Sequence, residues 1–470
     1  MKLHLIPQPK KAELLGHVSF LPGAIADGSP FEAAAATYAE FREKLFGVLP
    51  ENATPVTLSL SEGLPRGGYS LDSRMSGITL AAADPEGASN AVMTLLQLMA
   101  GSGTGEIPAV RIEDAPDSSY RGLLIDLARI WHPIDLVLRY VDLCAFYKVS
   151  TLHLHFTDTQ SFTLPSDAFP LLPSEGRHYT KEEIGLLNDY ARKRGVTLMP
   201  ELESPGHCKQ FIRAYPEIFG SGTIIPFTAE AFAALDTLIG EIATLFPDSP
   251  RIHIGGDEAN IAEWLSDEKS LAYAAECGIP ADGDARLSSE RILAFFVRKL
   301  SDMVLARGRT PVAWEGFAKE VNDLVPRSTE IFSWENYYQT TYDLIDAGYT
   351  LINGTWNPNY IVAPDTFWSV RECFDWNIFN FRPIHKDSPL KGISFTVPPY
   401  EKMIGGQLLS WGDYGADCAD PAAHLESEWR LVADRLPATA ENVWNTEKRV
   451  IFAEFEESHG ILTAAMEKLR

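Results

Sequence analysis

A chain of 470 residues, 45% apolar and 22% charged, exceeds one average domain and has the composition of a globular protein with a large core. Its net charge of −24 argues against nucleic acid, anionic membrane surfaces and polyanionic substrates as partners. Five scattered cysteines with no CxxC spacing argue against a disulfide framework or a zinc cluster and fit a reduced compartment.

The N-terminus shows no long apolar run before Pro7 and Pro9, so no signal peptide is visible and a cytoplasmic location is expected, or an extracellular one if a leader was trimmed. No apolar run approaches the length of a membrane span. The first 115 residues contain short β-type runs such as Thr57-Leu58-Ser59-Leu60, with helical patterns over 31–46 and 88–99. They predict a small α+β domain over 1–115. The polar, proline-bearing stretch 113–119 marks its boundary with a second unit, 116–470. All ten tryptophans lie after residue 130.

From Arg121 onward, strand-length apolar runs alternate with helical patterns. The runs are 122–127, 151–156, 196–202, 251–254, 311–314, 330–334, 350–353 and 407–411. Helix candidates between them are 134–147, 181–194, 229–246, 288–307 and 341–347. Eight such runs predict an α/β fold, a (β/α)8 barrel preceded by the small α+β domain.

Active sites of such barrels sit at the C-terminal strand ends. There the sequence places Asp126 and Arg129, then Asp158, then Glu201, Glu203 and His207. Asp257-Glu258, Trp314-Glu315, Trp334-Glu335, Trp356-Asn357 and Trp411-Gly412-Asp413 follow. Indole faces stack on the C–H faces of sugar rings, and carboxylates accept hydrogen bonds from hydroxyls, so four successive Trp-bearing ends predict a carbohydrate pocket. The most telling stretch is Arg251-Ile252-His253-Ile254-Gly255-Gly256-Asp257-Glu258. Two glycines let the backbone turn sharply, and two crowded acids repel until one is held protonated beside its ionised neighbour. Glycosidic-bond cleavage requires that combination.

These residues resemble glycoside hydrolase family 20 β-N-acetylhexosaminidases. The motifs are Arg121-Gly122-Leu123-Leu124-Ile125-Asp126-Leu127-Ala128-Arg129, Leu152-His153-Leu154-His155-Phe156-Thr157-Asp158 and Pro200-Glu201-Leu202-Glu203-Ser204-Pro205-Gly206-His207. His253-Ile254-Gly255-Gly256-Asp257-Glu258 and Gly406-Gln407-Leu408-Leu409-Ser410-Trp411 complete the set, and Ile6-Pro7-Gln8-Pro9 resembles the start of the family's N-terminal domain. The resemblance implies a retaining exo-enzyme that removes terminal β-linked N-acetylhexosamine from a small oligosaccharide or glycoconjugate, with no cofactor and no metal. It implies Glu258 as general acid/base and Asp257 as support for the substrate's 2-acetamido nucleophile. It further implies Arg121 and Asp158 as hydroxyl binders, His207 in support, and Tyr360 as hydrogen-bond donor to the acetamide. Trp314, Trp334, Trp411 and Trp376 are the implied walls.

Three positions depart from the family pattern. Thr159 replaces a second Asp, Val362 replaces an acid two positions after Tyr360, and Asp413 replaces a Glu. All three bear on the choice of sugar more than on the reaction. Two rival chemistries follow from the same residues. Glu201 or Glu203 could act as nucleophile opposite Glu258 in a two-carboxylate retaining mechanism. Alternatively, His153 and His155, completed by His207 and Asp257, could hold a divalent metal.

Overall fold

The computed structural model describes residues 2–469 apart from 27–28, 49–51, 281–282, 363–367 and 416–417. Its first part is a mixed six-stranded sheet of β1 (Lys11–Phe20), β2 (Pro22–Ile25), β3 (Thr54–Leu60), β4 (Tyr69–Arg74), β5 (Gly77–Ala82) and β6 (Ile107–Asp114), in the order β1-β6-β4-β5-β3-β2. Helices Glu32–Phe46 and Pro85–Ser102 accompany it. The second starts cleanly, because Pro85 needs no amide partner in the first turn and the Asp84 side chain accepts the Gly87 N–H. From Gly87 to Met99 nearly every residue of this helix is buried. A helix apolar all round must be covered all round. Here the sheet covers one side and the second unit the other.

That second unit is a closed parallel barrel, as the alternating pattern predicts. Its strands are β7 (Tyr120–Asp126), β8 (Thr151–His155), β9 (Thr197–Glu201), β10 (Arg251–His253), β11 (Thr310–Trp314), β12 (Glu330–Ser333) and β13 (Thr350–Asn353). After the short β14 (Tyr360–Ile361) and the hairpin β15 (Asn380–Phe381) and β16 (Phe395–Thr396), β17 (Met403–Ser410) pairs with both β13 and β7 and closes the ring. β17 begins at Met403 rather than 407, since Gly405-Gly406 carries no β signal. Every residue of β7 is buried, as expected of a strand covered on both faces. The helices between strands form the outer layer. One of them, Lys181–Lys193, opens on a capping box between Thr180 and Glu183.

β6 ends at Asp114 and β7 starts at Tyr120, so the proline-bearing stretch is the connection between the two sheets. The C-terminal helix Phe452–Met466 turns back toward the first part of the chain: Lys2 Nζ lies 2.6 Å from Glu457, and His4 Nδ1 3.3 Å from Ser458 Oγ. Among the described residues no helix is long and apolar enough to cross a membrane.

Candidate active site

At the C-terminal strand ends a cleft with about 560 Å³ of empty space is lined by seven charged or titratable side chains from the first four strands and by a wall of aromatics from the others. The polar half is one connected network. Asp126, the last residue of β7, accepts the backbone N–H groups of Ala128 and Arg129, and its second oxygen accepts Gly412 N–H (3.0 Å) and Arg129 Nη1 (2.8 Å). Thus the first and last strands are tied together and the Arg129 guanidinium is aimed across the cleft. It meets Asp158 at 2.9 Å and Asp413 at 3.4 Å, and lies over the Trp411 ring at 5.3 Å. Burial opposes its charge, but Asp126, Asp158 and Asp413 together raise its pKa.

Asp158 also faces His155 Nε2 (3.0 Å) and His207 Nδ1 (3.3 Å). These contacts and Arg129 outweigh burial and keep its carboxyl ionised, well below the usual range. His207 Nε2 lies 3.2 Å from Glu258 Oε2. Burial disfavours the imidazolium, yet its hydrogen bonds to Asp158 and Glu258 hold it well above the ordinary histidine value. Both His207 and Glu258 have φ of +48°, a left-handed conformation that costs about 1–3 kcal/mol in a non-glycine residue. The Glu258 N–H is satisfied by Tyr338 Oη at 2.9 Å.

The adjacent acids sit in opposite environments. Burial, then the neighbouring charge of Glu258, pushes Asp257 up to about 8. The hydrogen bond from His207 is the main influence on Glu258 and holds it below the ordinary glutamate value. Beneath them Glu203 is fully buried, and burial followed by repulsion from Asp257 holds its pKa well above the ordinary glutamate value.

Aromatic rings form the opposite wall. Tyr360 stacks on Trp356 (4.9 Å, 18°) and on Trp334 (6.4 Å, 12°), and Trp411 lies 6.0 Å from Tyr360 and 5.8 Å from Trp314. Val362 completes the lining.

Asp257, Glu258, Asp158, His207, Trp314, Trp334, Tyr360, Trp411 and Asp413 therefore converge in one cleft. Two expected members do not. Arg121 stands near the start of β7, at the opposite end of the barrel. It is buried there, with Nη2 2.5 Å from Glu86 and with Nη1 and Nε donating to the carbonyls of Ser118 and Lys148. It clamps the barrel floor to the first part of the chain. Trp376 follows helix Val370–Asp375 and packs on Gly406 near the start of β17, its Nε1 donating to Asn380 O.

Strand direction accounts for the position of Arg121. Arg121 opens a strand and Arg129 follows its end, so only Arg129 can reach the site. Trp356, one of the four Trp-bearing strand ends, lines the cleft, and Arg129, His155 and Glu203 join the lining without an expected binding role. Glu315 and Glu335 do not line the cleft. Their buried carboxylates accept backbone N–H groups of the rim loops, Glu315 those of Asn336 and Tyr338 and Glu335 those of Ile384 and His385.

The rival chemistries fare differently. His155 and His207 are each engaged by two carboxylates, and the ligand set His153, His155, His207 and Asp257 does not assemble. Among the described residues, donor atoms do gather around Glu201, with His153 and His253 or with His155 and Glu203. Glu201 itself is engaged within this cluster, accepting Trp314 Nε1–H at 2.7 Å and facing His253 at 2.8 Å and His155 at 2.5 Å. Glu201 lies under the cleft, outside its lining, so it is not placed as a nucleophile. Glu203 does line the cleft, but burial and Asp257 raise its pKa and so oppose the ionised form a nucleophile needs.

The chain matches the profile "Glycosyl hydrolase family 20, catalytic domain" over residues 119–447 and "Glycosyl hydrolase family 20, domain 2" over 2–115. It is 27% identical over 452 residues to the "Beta-hexosaminidase" of Vibrio furnissii, covering 87% of this chain and 72% of that one. It is 26% identical to "Beta-hexosaminidase subunit beta" of Mus musculus, covering 74% of this chain and 64%, just under two thirds, of that relative. The solved GH20 exo-β-N-acetylglucosaminidase of Vibrio harveyi, in complex with N-acetylglucosamine, superposes with a TM-score of 0.80 at 22% identity. That likeness covers 99% of this chain and 77% of the other, and it establishes the shared fold.

Proposed function

The chain belongs to glycosyl hydrolase family 20, and from that premise we propose that it is a retaining exo-β-N-acetylhexosaminidase that works by substrate assistance. The observation that carries this reading is the Asp257–Glu258 pair. Two adjacent carboxyls share one cleft, with opposite shifts, beside an aromatic wall.

In this reading the terminal sugar fills the cleft, with Arg129 donating to its hydroxyls and Asp158 and Asp413 accepting from them. Its 2-acetamido group lies against Trp314, Trp334 and Trp411. The Tyr360 hydroxyl donates to the acetamide carbonyl oxygen, and the acetamide N–H donates to Asp257. Glu258 gives its proton to the glycosidic oxygen as the C1–O bond breaks. The acetamide oxygen attacks C1 from the opposite face and forms a cyclic oxazolinium, whose charge the Asp257 carboxylate stabilises. Water then opens this ring, giving its proton to Glu258, with net retention. His207, bridging Asp158 and Glu258, fixes the acid's orientation.

A pair of aryl glycosides differing only at C2 tests the reading. The 2-acetamido compound is expected to turn over and the 2-hydroxy compound to be nearly inert, since it lacks the internal nucleophile. Efficient hydrolysis of the 2-hydroxy compound would instead favour a protein nucleophile.

A further inference from the structure

Building on that reading, we propose that His132 and Glu428, a buried ion pair outside the cleft, are positioning residues that hold Arg129 and Asp413 in register for the terminal sugar. The barrel closes where β17 pairs with β7, and helix Pro421–Trp444 packs across that seam against both strands. From this helix Glu428 points inward and is 1% exposed. Its Oε1 accepts the Ser410 hydroxyl at 2.7 Å, and its Oε2 lies 2.7 Å from His132 Nε2. The other ring nitrogen of His132, Nδ1, lies 3.0 Å from the carbonyl oxygen of Ile130.

These contacts fall next to the cleft's own residues in the chain. Ser410 ends β17 and directly precedes Trp411, with Asp413 two residues further on. Ile130 directly follows Arg129. Neither His132 nor Glu428 lines the cleft, yet together they fasten both loops that do. A carbonyl oxygen can only accept, so Nδ1 carries a hydrogen. Glu428 takes the serine hydroxyl hydrogen on one oxygen and receives Nε2–H on the other. His132 is thus an imidazolium with both donors in use. Burial opposes that charge, but Glu428 outweighs it.

Asp126 already joins the same two loops by accepting Gly412 N–H and the Arg129 guanidinium. A single tie leaves a pivot. The second tie removes the rotation that would swing Arg129 away from Asp413, its longest contact at 3.4 Å, against 2.8 Å to Asp126 and 2.9 Å to Asp158. From the β8 side, Ser161 Oγ donates to Ala128 O at 2.5 Å and Arg177 Nη2 to Arg129 O at 3.1 Å. The Arg129 loop is therefore held from two directions, and the ion pair supplies one of them.

A double-mutant cycle on kcat/KM for an aryl N-acetyl-β-glucosaminide tests this. His132→Phe keeps a ring and loses both donors. It is expected to lower kcat/KM roughly 10–100-fold, mainly by raising KM, because a hydroxyl-binding group is displaced while the acid pair stays in place. In an Arg129→Met background the same substitution should cost no more than about 2-fold, since the group it positions is gone. Ser410→Ala, which removes one hydroxyl from the anchor, should show the same pattern on a smaller scale, roughly 2–10-fold in the parent. It carries the test alone if His132→Phe does not fold. Equal factors in the two backgrounds, or a loss of kcat with KM unchanged, would overturn the positioning role and leave the glycosidase reading intact. A parent enzyme that does not turn over the substrate would overturn that reading, and the positioning role with it.

Discussion

The carboxyl group of Glu203 occupies the space that a side chain on Gly255 would need. A Cβ at Gly255 would fall 2.3 Å from Glu203 Oε1, and the residue holds φ at +74°. The first glycine of the Gly-Gly-Asp-Glu turn is thus required twice, once by its backbone and once by a neighbouring acid. Gly278 has nearly the same φ, +72°, with nothing near its Cβ position. Gly278→Ala should therefore cost only the left-handed backbone penalty, about 1–2 kcal/mol. Gly255→Ala should cost more, because Glu203 must move within a packed core, and it should depress activity as well. Urea unfolding of the two variants, with activity measured on each, checks this. Equal destabilisation would mean that Glu203 is free to shift.

The titration of the acid pair gives a second prediction. Asp257 is pushed up to about 8 and Glu258 is pulled below its ordinary value. Between those limits the pair carries one proton, the number the reaction needs. Coupled carboxyls titrate as a unit, so the proton can rest on Asp257 in the empty cleft. An acetamide N–H donating to Asp257, and a glycosidic oxygen accepting from Glu258, then favour its transfer to Glu258. Above about 8 the pair loses the proton and kcat/KM should fall. At low pH it gains a second proton, Asp257 can no longer accept, and kcat/KM should fall again. The expected profile is flat from the acidic limb up to an alkaline limb near 8. In Asp257→Asn only Glu258 can hold the proton, so the alkaline limb should move to lower pH. A limb that stays near 8 in that variant would assign it to another group.

Arg129 and Arg121 separate binding from folding. Arg129 spans three aspartates inside the cleft, and charged hydrogen bonds are each worth about 1.5–3 kcal/mol. Arg129→Met should therefore lower kcat/KM by roughly 10–100-fold. Arg121 serves the barrel floor. Removing one partner of such a buried pair costs about 3–5 kcal/mol of stability, so Arg121→Met should unfold at lower urea while the folded fraction keeps its kinetic constants. Kinetic damage confined to Arg121→Met would reverse the two roles.

Most of this site is legible in the sequence because the strand runs are. Each barrel strand is short and largely buried on both faces, so it reads as a compact apolar run bounded by polar residues. Placing chemistry at the C-terminal ends then gathers Asp158, His207, Asp257, Glu258 and Trp411 without coordinates. What stays hidden depends on contacts distant in the chain. Arg121 and Arg129 belong to one motif, and only the direction of β7 separates the floor from the mouth. Trp376 follows a short helix in the long irregular β13–β17 connection, where no period fixes which way a side chain points. Glu315 and Glu335 stand at strand ends like true site residues, yet their carboxylates are taken by loop amides whose course sequence does not reveal.

Replacing each catalytic acid in turn separates their roles by leaving-group dependence. Glu258→Gln removes the proton donor and keeps the shape, and general acid catalysis is typically worth about 10²–10⁴-fold. The loss should be near the top of that range for an alkyl or sugar leaving group. It should be much smaller for a dinitrophenyl group, which departs with little protonation. Asp257→Asn acts on the other half of the reaction. An amide beside the acetamide N–H cannot offset the oxazolinium charge, so every leaving group should suffer alike. Plots of log kcat/KM against leaving-group pKa should therefore steepen for Glu258→Gln and shift down in parallel for Asp257→Asn. Exchanged slopes would exchange the roles of the two carboxyls. Parallel lines for both would mean that neither delivers the proton, leaving His207, which is hydrogen-bonded to Glu258 within the cleft, as the donor to test next.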